Sequence, residues 1–168
     1  MNERREGGPD TTDGVLIRSV ETTDGAAWAQ MWDGYAAFYQ VSLSEQVTAA
    51  TWARILDPAS PIKALLATDS HDGALGFANY VVHAYTWSDK PACYLEDLFV
   101  RPEARGRGAG RALIERLIAL GGEQGWGRLY WMTRQDNRTA RQLYDHFSTA
   151  DGFVRYTIPF DDTDPITQ

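Results

Sequence analysis

The chain has 168 residues, 43% of them hydrophobic, and a formal charge of −7. That size suits one domain with a core of its own, and the acidic balance argues against a general nucleic-acid binder, which draws on a broad basic surface. No apolar run approaches the roughly 18 to 20 residues of a membrane span, and MNERREGGPDTTDG at the start lacks the apolar centre of a signal peptide, so the reading is a cytoplasmic protein.

In chain order, residues 1–13 read as a disordered tail, 14–160 as the folded domain and 161–168 as a C-terminal tail. VLIRSV (15–20) is an expected strand. Thr22, Thr23 or Asp24 can cap the helix that follows, roughly 24–39, with Trp28, Met31, Trp32, Tyr35 and Phe38 at helical spacing. A second helix begins near Ser44, carries Val47, Trp52, Ile55 and Leu56, and stops at DPASP (57–61). Strands are expected at 62–69, 74–86 and 92–100, joined by turns short enough for an antiparallel meander. After a glycine-rich loop, Leu113, Ile114, Leu117, Ile118 and Leu120 mark an amphipathic helix that ends at GGEQG (121–125). RLYWMT (128–133) is a strand, DNRTARQLYDHF (136–147) a helix capped by Asp136 or Asn137, and GFVRYTIPF (152–160) a closing strand. The order β-α-α-β-β-β-α-β-α-β predicts a single α+β domain, with a mixed, mostly antiparallel central sheet flanked by helices.

The charge is uneven. Between Arg101 and Arg116 stand five arginines (101, 105, 107, 111 and 116) against Glu103 and Glu115, a basic island in an acidic chain. A charge run by itself is most often a solvated helix face. Here it coincides with a strand that runs through a glycine loop into a helix N-terminus, where unpaired backbone N–H groups and the helix dipole favour an anion. A dinucleotide G-x-G-x-x-G would begin at Gly106 and Gly108, but Arg111 occupies the third glycine position. No G-K-[ST] follows for a P-loop either.

What does fit is Arg105-x-x-Gly108-x-Gly110, which resembles the pyrophosphate-binding signature of the GNAT superfamily of N-acetyltransferases. The resemblance extends over residues 14–160. Within the superfamily, YLEDLFVRPEARGRGAG (94–110) and WMTRQDNRTARQLYD (131–145) are most similar to the diamine (spermidine/spermine) acetyltransferases and the yeast-type histone and polyamine acetyltransferase branch. It implies acetyl-coenzyme A as cosubstrate, with no metal. Leu98, Phe99 and Val100 would hold the pantetheine arm through backbone groups. Gly106, Arg107, Gly108, Ala109, Gly110 and Arg111 would cradle the pyrophosphate, with charge lent by Arg105 and Arg107. Asn137 and Ala140 would line the cofactor's other side, and Tyr144 would donate a proton to the departing thiolate. A homodimer is also implied, paired through the last strands. The sequence departs from the family pattern at STAD (148–151), which lengthens the turn before Gly152.

Acetyl transfer to an amine needs a neutral amine, stabilisation of an oxyanion, and a proton for the thiolate. A phenol of pKa near 10 is still an O–H donor at neutral pH, so Tyr144 qualifies chemically, although a helical tyrosine commonly just packs in a core. Glu96 and Asp97, on successive strand positions, are expected to point to opposite faces and so not to share a proton. By the resemblance Glu96 is the base that takes the ammonium's proton through a water, and Asp97 an anchor for the substrate cation. Either acid can also be read as solvated or capping. Tyr35, Phe38, Tyr39, Tyr80, Tyr85 and Trp87 lie near the expected acceptor side, mostly as core, with Tyr39 taken as substrate-binding. Cys93, the single cysteine, can form no internal disulfide, shows no metal-ligand spacing with His71, His83 and His146, and reads as a buried small residue.

The expectation is an acetyl-coenzyme A-dependent N-acetyltransferase that acts on the primary amine of a cationic acceptor by direct attack in a ternary complex. The acidic remainder of the chain favours such an acceptor by steering. Small polyamine-like amines, an amine antibiotic and a lysine of a basic protein all stay open as acceptors. So do two non-catalytic readings, an acyl-coenzyme A-binding module and a generic phosphoanion-binding domain.

Overall fold

The computed structural model describes residues 10–12, 14–71 and 73–160. Six strands make one sheet in chain order: β1 (Asp10–Thr12), β2 (Val15–Ser19), β3 (Ile62–Thr68), β4 (Ala74–His83), β5 (Ala92–Val100) and β6 (Arg128–Trp131). Neighbours from β1 to β5 are antiparallel, and β6 runs parallel to β5. The change of sense follows from the connections. Short connections without a helix or strand of their own among the described residues join β3 to β4 and β4 to β5, whereas β5 reaches β6 through α3 (Ala109–Gln124), the crossover that a parallel pair requires.

Helices cover both faces. On one, Leu113, Ile114, Leu117 and Leu120 of α3 pack against Val15, Ile17, Leu65, Ala67, Ala78, Tyr80, Cys93 and Leu95. On the other lie α1 (Gly25–Phe38) and α2 (Glu45–Leu56), whose Trp28, Met31, Trp32 and Ile55 meet Ala64, Leu66, Phe77 and Phe99. Adjacent residues of β3 thus serve opposite cores, as period-two alternation dictates. Full burial of a leucine such as Leu117 is worth about 1.5–3 kcal/mol relative to exposure. A shorter helix, α4 (Arg138–Tyr144), follows β6 and presents Leu143 and Tyr144 to the α3-side core. The result is the mixed, mostly antiparallel α+β domain anticipated from the element order.

Local signals behave as expected at several ends. Ser44 caps α2 by accepting from the Val47 N–H at 3.2 Å, and α3 ends at Gly125 in the left-handed region. Asp24 stands at the N-cap of α1 as expected, but its side chain makes no cap bond to that helix. Its carboxylate pairs with Arg18 at 2.6 and 2.9 Å and accepts from the Glu21 N–H, and the Arg18 contact holds its pKa below the ordinary carboxylate value.

Both ends of the chain require correction. Residues 10–12, expected in a tail, pair with β2, because the Gly14 turn (φ 78°) folds them back onto Val15–Ile17. The rest of the expected N-terminal tail and all of 161–168 lie outside the described residues. GFVRYTIPF forms no strand: it is extended, unpaired and exposed, with Phe153 at 87% and Phe160 at 99%. Alternating apolar residues favour a strand only where a neighbouring edge and a surface receive them, and Pro159 removes one ladder donor besides. β4 and β6 also stop short of their expected ends, at His83 and Trp131, and α4 is confined to Arg138–Tyr144 with a turn to Phe147 behind it.

Candidate active site

The sheet opens between its last two strands. β5 and β6 pair from Ala92–Arg128 to Leu95–Trp131 and no further, so Glu96–Val100 bond to β4 on one side only. The other edge of that stretch offers backbone donors and acceptors to a peptide-like ligand. Leu98 and Val100 are half-buried on the α3 side. Phe99 turns its ring into the α1-side core, so only its backbone is available to the gap.

β5 leads directly into the glycine loop. Gly106 and Gly108 have φ of 78° and 84°, a region that side-chain-bearing residues rarely adopt, and a Cβ built at either position would meet no other atom within 4 Å. Bare backbone therefore faces open space in front of Ala109, the first residue of α3. Gly110 is needed for another reason: its position for a Cβ lies 3.2 Å from Leu143 and 3.6 Å from Val100, so its bareness lets α4 close onto α3. The arginines are partly committed. Arg105 donates from Nε to the Val100 carbonyl at 3.3 Å, and Arg111 pairs with Glu115 at 3.0 Å while lying 6.0 Å from the Phe147 ring. Arg105 and Arg107 are both exposed at the loop.

The acidic pair is placed by a β-bulge. Asn79 faces Asp97 and Tyr80 faces Leu95, which leaves Glu96 as an extra residue on β5. The simple alternation expected for this stretch fails there. Leu95 enters the α3-side core, Asp97 two residues later turns under α1, and Glu96 stays exposed. Partial desolvation, then the Asp97 charge, raise the Glu96 carboxyl above its ordinary value, with Arg155 acting in the opposite sense. Asp97 is not on the surface as a substrate anchor would be. Only 9% exposed, it accepts from Asn79 Nδ2 at 3.0 Å and from the Tyr35 hydroxyl; burial raises its pKa and these bonds oppose that rise.

Tyr144, on α4, packs its ring 5.5 Å from that of Trp131, where β6 leaves β5. Burial, with a smaller contribution from Tyr39, pushes its phenol up to about 12, so it stays protonated at neutral pH. Asn137 caps α4, with Oδ1 accepting from the Ala140 N–H at 3.2 Å; its Nδ2 makes no such cap bond. Tyr39, the C-cap of α1, lines a cleft of about 1530 Å³ between the α1–α2 connection and the start of α4, as does Asn137. Arg54, Arg134 and Arg138 line it too, against Asp136.

Residues 28–148 match the Acetyltransferase (GNAT) family. The chain belongs to the GNAT acetyltransferase family. It is 35% identical over 133 residues to the D-amino-acid N-acetyltransferase HPA3 of Saccharomyces cerevisiae, covering 79% of this chain and 83% of that protein. The aminoglycoside N(6')-acetyltransferase type 1 of Klebsiella aerogenes is 34% identical over 108 residues, 60% of this chain and 66% of that one. The solved structure of AAC(6')-Iy in complex with a bisubstrate analogue shares the fold, with a TM-score of 0.73 at 21% identity over 86% of this chain and 98% of that one. As a GNAT member the chain is an N-acetyltransferase.

Sequence reasoning missed some of this GNAT site. Asn79 and Trp28, buried at 2% and 0%, carry the polar contacts beneath Asp97. A lone asparagine inside the apolar run LGFANYVVH was the available signal for the first. Of the expected aromatic wall, Phe38 and Tyr39 line the cleft, and Tyr35 packs against Tyr39. Tyr80 is buried against Trp126, while Tyr85 stacks with Arg128 in the β4–β5 connection and neither it nor Trp87 lines the cleft. Burial pushes the Cys93 thiol up to about 12, which keeps it protonated.

Proposed function

We propose that this GNAT enzyme moves an acetyl group from acetyl-coenzyme A to the primary amine of a small, amino-acid-like acceptor by direct attack in a ternary complex. The observation that carries the reading is the parting of β5 and β6 after Leu95 and Trp131, with the glycine loop at the end of β5 and the Tyr144 phenol at the fork. Acetyl-coenzyme A supplies the activated acyl group. The backbone of Leu98, Phe99 and Val100 holds its pantetheine, the backbone from Gly106 to Arg111 meets its pyrophosphate with charge from Arg105 and Arg107, and Asn137 and Ala140 flank it from α4. The left-handed glycines fit this role, since their open side is where phosphate oxygens would approach.

The chain's own groups divide the proton chemistry. Glu96 takes a proton from the acceptor ammonium through a water, a task for which its raised proton affinity suits it near neutral pH. Tyr144 gives its phenolic proton to the leaving thiolate. The cleft argues for an acceptor that also carries a carboxylate: Arg54, Arg134 and Arg138 outnumber Asp136 there, a poor lining for an acceptor that is cationic alone. The D-amino acids named for the yeast relative have both groups. Thiol release from acetyl-coenzyme A, measured over D- and L-amino acids, polyamines and aminoglycosides, tests the reading. Turnover on amino acids above the others supports it; preference for polyamines or aminoglycosides overturns the acceptor class.

The same reading includes a homodimer. Phe153, Tyr156 and Phe160 are exposed, and the outer edge of β6 is unpaired among the described residues, surfaces that a second copy would cover. Light scattering is expected to show a dimer that a chain ending at Asp151 fails to form.

A further inference from the structure

We propose that Asp97 is a positioning residue, which through Tyr35 fixes the Tyr39 hydroxyl at the acceptor cleft from inside the fold. The proposal rests on the reading of that cleft as the acceptor's site.

A hydrogen-bonded file runs outward from the core. Trp28 donates from Nε1 to Asn79 Oδ1 at 3.2 Å, Asn79 donates from Nδ2 to Asp97 Oδ2 at 3.0 Å, and Tyr35 bonds both Asp97 and Tyr39. Each link constrains the next. With its oxygen taken by the indole, Asn79 can turn only its amide N–H groups toward β5, so the Asp97 carboxylate has a fixed inner donor. Its remaining acceptor capacity faces Tyr35. Tyr35 and Tyr39 stand four residues apart on α1, side by side with ring centroids 5.0 Å apart and edge to face. Tyr35 is also stacked on Trp32, 5.5 Å between centroids, so its ring has little freedom.

Such a file is an expensive way to fill a core. Among the described residues the hydrogen-bond partners of Asp97 are neutral donors, and a buried carboxylate without a cation costs more than an apolar side chain of the same shape. The bulge at Glu96 is what turns Asp97 toward α1 at all. Of the five members only Tyr39 reaches the cleft, and it does so at the last turn of α1, where backbone packing holds a side chain least. The tie through Tyr35 supplies the missing constraint. Tyr39 also lies close enough to Tyr144 to influence its ionisation.

The test follows Tyr39 directly. In protein labelled with 3-fluorotyrosine, the Tyr39 resonance, assigned by its loss in Tyr39→Phe, is expected to shift and broaden in both Asp97→Asn and Tyr35→Phe. Steady-state kinetics on the best acceptor of a panel of D-amino acids, polyamines and aminoglycosides then read the consequence. Acceptor KM is expected to rise about tenfold in each variant, in line with the loss of one hydrogen bond to a charged group, with no further rise in the double variant. Calorimetric affinity for acetyl-coenzyme A stays unchanged. A Tyr39 resonance indifferent to both substitutions overturns the proposal. So do additive losses, or a cofactor affinity that falls in step with acceptor KM, since general loosening of the fold would do that. Tyr35→Phe leaves the buried acid intact and serves if Asp97→Asn fails to fold. Wild-type protein that binds acetyl-coenzyme A yet acetylates no amine sinks the acceptor reading alone, because the fluorine spectra still decide whether Asp97 holds Tyr39.

Discussion

Tyr144 rests against Trp131, the last residue of β6, with ring centroids 5.5 Å apart, and this contact aims a helix side chain at the point where the sheet divides. The ring is held by packing, and the hydroxyl has no hydrogen-bond partner among the described residues. Tyr144→Phe is therefore expected to keep the fold and the affinity for acetyl-coenzyme A while kcat falls roughly 10²- to 10⁴-fold, the range for removal of a positioned acid. Because the phenol titrates near 12, the wild-type rate should show no alkaline loss from this group below about pH 10. Near-wild-type turnover in the Phe variant would assign Tyr144 to the core.

Gly108→Val tests the loop. At φ 84° the substitution is strained, and its side chain would project into the open space before the backbone. Acetyl-coenzyme A affinity is expected to drop at least tenfold by calorimetry. Gly14→Val is the control, since Gly14 has φ 78° and equally open surroundings outside the site. Equal effects of the two on cofactor affinity would count against the loop as the pyrophosphate site.

Glu96→Gln separates base from scaffold. An amine of pKa near 10.4 is about 100-fold more abundant in free form at pH 9 than at pH 7, so a missing base matters less there. The variant is expected to lose more activity at pH 7 than at pH 9. In the wild type, the raised proton affinity of Glu96 places the acidic limb of the rate profile above the ordinary glutamate value of 4.5. A loss independent of pH would point to a structural role.

Asp97 offers a stability test. Its folded-state pKa is raised above the ordinary 3.8, so the folded chain binds this proton more tightly than the unfolded chain. The contribution is complete below the unfolded value and is lost as pH rises through the folded one. Relative to Asp97→Asn, which does not titrate, the wild type should gain stability as pH falls from 7 toward 4. Urea melts of both proteins across that range check the sign; a difference that grows with pH would contradict the burial.

Much of the GNAT domain is legible without coordinates because its signals are local. Ser44 caps α2 wherever that helix packs, the spacing of Leu113, Leu117 and Leu120 belongs to one helix, and the left-handed turns at Gly106 and Gly108 depend on those residues having no Cβ. The glycine loop and the helix carrying Tyr144 follow from such short-range facts. Other features depend on partners distant in the chain. The bulge at Glu96 arises from the register of β5 on β4, and it reverses the inward face of every residue after it. Asp97 is accordingly buried with Asn79 and Tyr35, 18 and 62 residues away in the chain, rather than displayed. GFVRYTIPF has the alternation of a strand but no neighbouring edge, while Asp10–Thr12 lacks that pattern and is paired because β2 lies beside it. Hydrogen bonds between strands are made by backbone that no side-chain pattern can reserve, so register and edge pairing are decided only when the sheet assembles.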